Sequence, residues 1–148
     1  MKKAIKHTFS FTQSPEEVWE YLTNPDLMAL WLMKSDFKPE LGHKFRFTGG
    51  CNHEGSEEKE AAICEVLEIE PHSRLVYSWQ THSLTDGKPY ISRVTWTLLR
   101  KHNGTDLELL HNGFMAMDDL DAHNDGWSRL GKKLVLQLNA VSHDCSIA

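Results

Sequence analysis

At 148 residues the chain is long enough for one continuous hydrophobic core and short for two, so a single domain spanning residues 1–148 is expected. Hydrophobic residues at 40% and charged residues at 25% exclude a disordered chain, and a net charge of −5 excludes the basic footprint of a nucleic-acid binder. No apolar secretory core follows Met1, and no later stretch approaches the roughly 20 apolar residues of a membrane span, which makes the cytoplasm the expected location.

Ile5, His7, Phe9 and Phe11 alternate with Lys6, Thr8 and Ser10, the period of a strand with one buried face. Ser14-Pro15-Glu16-Glu17 then reads as a capping box, with Pro15 at the first helical position, where no amide partner is needed. A short helix through Leu22 follows. Asn24-Pro25-Asp26 repeats the capping chemistry, and Leu27, Leu30 and Trp31 share a helical face, predicting a second short helix to about Leu32.

From Lys44 the period changes to two, with Phe45 and Phe47 on one side; Gly49-Gly50 then leads into a polar stretch through Lys59 that reads as a loop. Strands are predicted over Ala61 to Ile69, Arg74 to Gln80 and Ile91 to Leu99, with Leu75, Tyr77 and Trp79 on one parity and Val94, Trp96 and Leu98 on another shared face. Asn103-Gly104 is a type I′ hairpin signal, because that turn needs positive φ at both central residues. Leu107, Leu109 and His111 line the last strand. Beyond Gly113, the stripe Leu120, His123, Trp127, Leu130, Leu134, Leu138 and Val141 follows a 3.6-residue period, with Asp118, Asp119 and Asp121 at the end where a helix favours negative charge. Gly126 and Gly131 interrupt this long helix at a cost of about 1 kcal/mol each relative to Ala, which close approach to a strand would offset.

The order is therefore α+β: a strand, two short helices, a curved antiparallel sheet and a long C-terminal helix. Such a sheet wrapped around one helix leaves a pocket between them. The stretches Ser14-Pro15-Glu16-Glu17-Val18-Trp19, Leu22-Thr23-Asn24-Pro25 through Trp31, Phe37 to Gly42, Glu68 to Pro71 with Arg74 to Trp79, Ser92 to Thr95, and His123 through Trp127 stand in this order along nearly the whole chain. In them the sequence resembles the START-like, or SRPBCC, superfamily, and within it the branch similar to the C-terminal domain of the activator of the 90-kDa heat shock protein ATPase. The resemblance implies a helix-grip fold. It also implies a stand-alone domain of the bacterial type that binds a hydrophobic small molecule or lipid, with a chaperone-interacting module as the alternative and a cyclase- or hydrolase-type enzyme as a third reading.

Ligand pockets are mostly apolar with a few placed polar groups. The candidate lining is Trp31, Phe45, Phe47, Trp79, Trp96, Phe114 and Trp127 with Leu130 of the helical stripe, although large aromatics also dominate ordinary cores. His111 shares the parity of Leu107 and Leu109 and points inward, where a neutral imidazole could bond a ligand oxygen or serve as a satisfied core histidine; His123 on the helix stripe has the same two readings. Arg93, on the parity opposite Trp96, reads as a solvated charge.

No nucleophile stands beside a base in the sequence, neither GxGxxG nor GxxxxGK[ST] occurs, and no catalytic residue or cofactor is assigned. Cys51, Cys64 and Cys145 are odd in number and widely spaced, which fits reduced thiols, with Cys64 a small buried hydrophobe. Neither Cys51 with His53 nor His143 with Cys145 has a second pair at structural-zinc spacing, so no metal is assigned. The acidic run Glu54, Glu57, Glu58 and Glu60 reads as a solvated loop.

Overall fold

In a computed structural model, which describes residues 4–49 and 59–147, the elements follow the chain as β1 (Ala4–Phe11), α1 (Pro15–Thr23), α2 (Pro25–Trp31), β2 (Lys34–Ser35), β3 (Lys44–Gly49), β4 (Lys59–Glu70), β5 (Arg74–His82), β6 (Pro89–Lys101), β7 (Gly104–Asn112) and α3 (Met117–Ile147). The helix starts are fixed by the chemistry the sequence carries. Ser14 Oγ accepts from the Glu17 N–H at 3.2 Å while Glu17 Oε1 accepts from the Ser14 N–H at 3.3 Å, closing the capping box. Asn24 Oδ1 accepts from the Asp26 N–H at 3.0 Å and so starts α2 one residue after α1 ends.

The seven strands form one antiparallel sheet in the order β1-β7-β6-β5-β4-β3-β2. β2 to β7 run as a meander, and β1 joins at the far edge by pairing with β7, Ile5 opposite His111 and Phe11 opposite Thr105. Register shifts at Phe47/Thr48 and between Val66 and Glu68 mark bulges, which bend the strands and help curl the sheet. Into that curl α3 lays Trp127, Leu134 and Leu138, each at most 3% exposed. Near the far end of α3 the Gln13 side chain donates to the Leu138 carbonyl at 3.1 Å, tying the helix to the corner between β1 and α1. This is a helix-grip fold.

Three local features differ from the sequence reading. β2 is a two-residue strand that periodicity is too short to reveal, held by pairing Lys34 with Thr48 and Ser35 with Phe47. The β6–β7 hairpin turns at His102–Asn103, and neither residue has positive φ, so it is not a type I′ turn. Gly104 instead opens β7 at φ 152°, because a Cβ there would run into the Phe11 carbonyl of the neighbouring strand. The two helical glycines also part company. A Cβ at Gly131 would strike the Phe9 ring of β1, the close approach that offsets its helical cost, whereas a Cβ at Gly126 meets nothing within 4 Å. The loop residues Gly50 to Glu58 and the side chains of Glu60, Val141, His143 and Cys145 lie outside what is described.

Candidate ligand site

The concave face of the sheet is paved with aromatic rings. Tyr77 and Trp79 of β5, Trp96 of β6 and Phe45 and Phe47 of β3 point inward by strand alternation, Trp31 descends from α2, and Trp127 meets them from α3. Trp96 lies edge-on to Trp127 at a centroid distance of 5.5 Å and to Trp31 at 6.0 Å; Phe47 is 5.4 Å from Trp79 and 5.4 Å from Phe45. Trp31, Phe45, Phe47, Trp96, His111 and Phe114 are each at most 4% exposed. These rings fill the region between sheet and helix that the sequence reading left open, since edge-to-face packing lets each occupy the gap beside the next.

What remains accessible is a pocket of about 180 Å³ at the mouth of the grip, lined by Trp79, Trp127 and Leu130 together with Met33, Ala122, His123 and Gly126. The structure thus brings three of the nine predicted lining residues to the walls of this pocket, although the two indoles show only 5% and 3% of their surface. The other six stand behind them as its packed support. Ala122, Gly126 and Leu130 recur every four residues and share one strip of α3, so a methyl group followed by a residue with no side chain leaves the helix surface hollow there. That four-residue spacing stands in the sequence as a signal that could have placed the pocket, and the apolar stripe alone did not carry it. Met33, just past α2, carried none.

Behind the pocket runs a chain of hydrogen bonds that fixes two imidazoles. The Trp127 Nε1–H donates to His111 Nδ1 at 2.9 Å, and an indole N–H can only donate, so Nδ1 carries no proton. The proton therefore sits on His111 Nε2, which donates to Ser92 Oγ at 2.7 Å, and the Ser92 hydroxyl donates in turn to the Trp79 carbonyl at 3.2 Å. In this tautomer His111 cannot take a proton from Ser92, and the pair is not poised as a base and nucleophile. The Trp79 Nε1–H likewise donates to His123 Nε2 at 3.3 Å, leaving His123 Nδ1–H to donate to the Asp119 carbonyl at 2.8 Å. Two tryptophans thus hold two histidines neutral.

Burial acts in the same direction. It pulls the His111 pKa down to about 3, with the neighbouring His123 adding to the shift, and it lowers that of His123 as well. Asp119, 3% exposed, accepts from Ser83 Oγ at 2.5 Å and from the Leu84 N–H at 2.7 Å, clamping the start of α3 to the β5–β6 hairpin. Cys64 is buried, and burial pushes its thiol up, out of the reactive range. No three His, Cys, Asp or Glu side chains among the described residues are grouped to hold a metal ion. No helix among them is long and apolar enough to cross a membrane.

Residues 12–138 match the family model described as Activator of Hsp90 ATPase homolog 1-like protein. Among solved structures, protein MLL2253 from Mesorhizobium loti is 30% identical with a TM-score of 0.80, over 93% of this chain and 97% of that one. The AHSA1 protein from Silicibacter pomeroyi shares the fold at 15% identity and a TM-score of 0.75, over 93% of this chain and 98% of its own. DynU16, a protein in the dynemicin biosynthetic locus, shares it at 20% identity and a TM-score of 0.74; 93% of this chain is matched there but only 47% of that longer one. No curated protein matches.

Proposed function

The chain belongs to the Activator of Hsp90 ATPase homolog 1-like family, and from that premise we propose that it binds a small apolar or aromatic guest, without chemical conversion, at the mouth of the helix grip. The observation that carries this reading is the pocket formed by Trp79, Trp127 and Leu130 around the two small residues of α3, Ala122 and Gly126. Its lining is almost wholly apolar, with the His123 ring as the one ionisable side chain in it. Apolar walls with so little polar surface favour a planar or aliphatic group.

The size limits the guest. Pockets for drug-sized ligands span roughly 300–1,000 Å³, and 180 Å³ accommodates one ring or a short aliphatic segment, with the remainder of a larger molecule left outside. Both indole N–H groups and both ring nitrogens of His123 are already engaged in internal hydrogen bonds. Recognition is therefore by shape and apolar contact, and a guest relying on polar anchoring would have to break the internal chain.

Filling the pocket tests the reading. Gly126→Leu has room for its Cβ and places a side chain where the guest would lie. Titration of the wild type with single-ring aromatics and short-chain lipids is expected to perturb tryptophan fluorescence saturably, and Gly126→Leu, folded by circular dichroism, is expected to abolish the response. Equal binding by the filled variant, or no saturable response in the wild type, defeats the proposal.

A further inference from the structure

The face of the sheet turned away from α3 carries a second recess, of about 420 Å³. Lys6, Leu110, Thr95 and Val76 stand opposite one another across β1, β7, β6 and β5, all on the parity opposite the aromatic core. Outward-facing residues of a sheet are ordinarily wet, yet Thr95 is 7% exposed and Val76 is 0% exposed, so the centre of this row is sunk beneath longer neighbours. The Thr95 side chain lines the recess and makes no hydrogen bond among the described residues.

The walls are cationic although the chain is acidic. Lys6, Arg74 and Arg93 line the recess against a single carboxylate, Glu108. Arg74 reaches Glu68 at 3.4 Å, but Lys6 and Arg93 have no ion pair among the described residues. With strands about 4.8 Å apart and two residues spanning about 6.7 Å, their Cα atoms stand roughly 12 Å apart across the Thr95 floor, within reach of one anion held between two long side chains. Past Arg93 and Asn112 the recess opens into an adjoining hollow of about 290 Å³ whose walls include Leu67 and Ile91, the latter 64% exposed.

We propose that this outer groove is a second binding site, for an amphipathic oxyanion: a carboxylate or phosphate monoester seated between Lys6 and Arg93 over the Thr95 hydroxyl, with an apolar body running toward Leu67 and Ile91. Charge-assisted hydrogen bonds supply the head-group contact, and a guanidinium can grip two oxygens of one anion at once. The apolar end supplies the contact that a bare anion would lack. The site is independent of the mouth pocket, because the sheet lies between them.

The test uses octyl phosphate, octanoate, inorganic phosphate and octanol, titrated into the isotope-labelled Gly126→Leu protein so that the mouth pocket is closed. Octyl phosphate or octanoate is expected to shift the Thr95, Thr97 and Asn112 amides saturably, the tighter of the two identifying the head group. Arg93→Gln and Lys6→Gln, both on exposed side chains, are each expected to weaken that binding by about tenfold or more, while Lys133→Gln on the exposed side of α3 leaves it unchanged. Octanol acting as strongly as the anions, inorganic phosphate matching octyl phosphate, or Arg93→Gln binding like its parent overturns the proposal.

Discussion

The Trp127 N–H decides more about this protein than its ring does. By donating to His111 Nδ1 it sends the imidazole proton to Nε2, and that choice orients Ser92 and, through it, the Trp79 strand. His111→Ala leaves the buried Trp127 N–H without its acceptor, removes the donor to Ser92 Oγ and opens a cavity, so urea unfolding is expected to show a loss of about 3 kcal/mol. The pH dependence follows from the same geometry. Unfolded His111 binds a proton as pH falls through its ordinary 6.5, whereas folded His111 resists until about 3. The unfolded state then holds more protons, so His111 lowers stability progressively as pH drops from 6.5 toward 3, on the order of 1 kcal/mol per pH unit. Depression of the His123 pKa adds in the same direction. Between pH 6.5 and 5, above the ordinary range of carboxylates, His111→Leu is expected to give a shallower dependence than wild type, and an unchanged slope would contradict the neutral imidazole.

Among the elements, α3 shows how two glycines with the same sequence cost serve opposite ends. Gly126→Ala fills open space and regains helix propensity, so it is expected to stabilise the fold by about 1 kcal/mol in thermal melts. Gly131→Ala meets the Phe9 ring and is expected to lower the melting temperature; combining it with Phe9→Ala should give a non-additive cycle, since the clash needs both partners. The other end of α3 depends on Asp119. Removing its carboxylate frees Ser83 and the Leu84 N–H together, and Asp119→Ala is expected to cost about 2–3 kcal/mol and to speed hydrogen exchange at Leu84.

For the whole molecule, guest binding and folding are linked. A guest at 100 times its dissociation constant raises stability by about 2.7 kcal/mol, an increase expected in the wild type and missing from Gly126→Leu. The sequence by itself determined every element but β2, and the inward faces: alternation sorted Trp79, Trp96 and His111 to the core side, Ser14 and Asn24 set the helix starts, and a 3.6-residue stripe marked α3, because each signal is written in neighbours a few residues apart. Only the tertiary structure decided what those faces do. Whether Trp96 and Phe47 line a hollow or fill it, which imidazole nitrogen bears the proton, which glycine touches a strand, and that Lys6 and Arg93 flank one recess all depend on contacts between distant segments, and no local period encodes the space left when such segments meet.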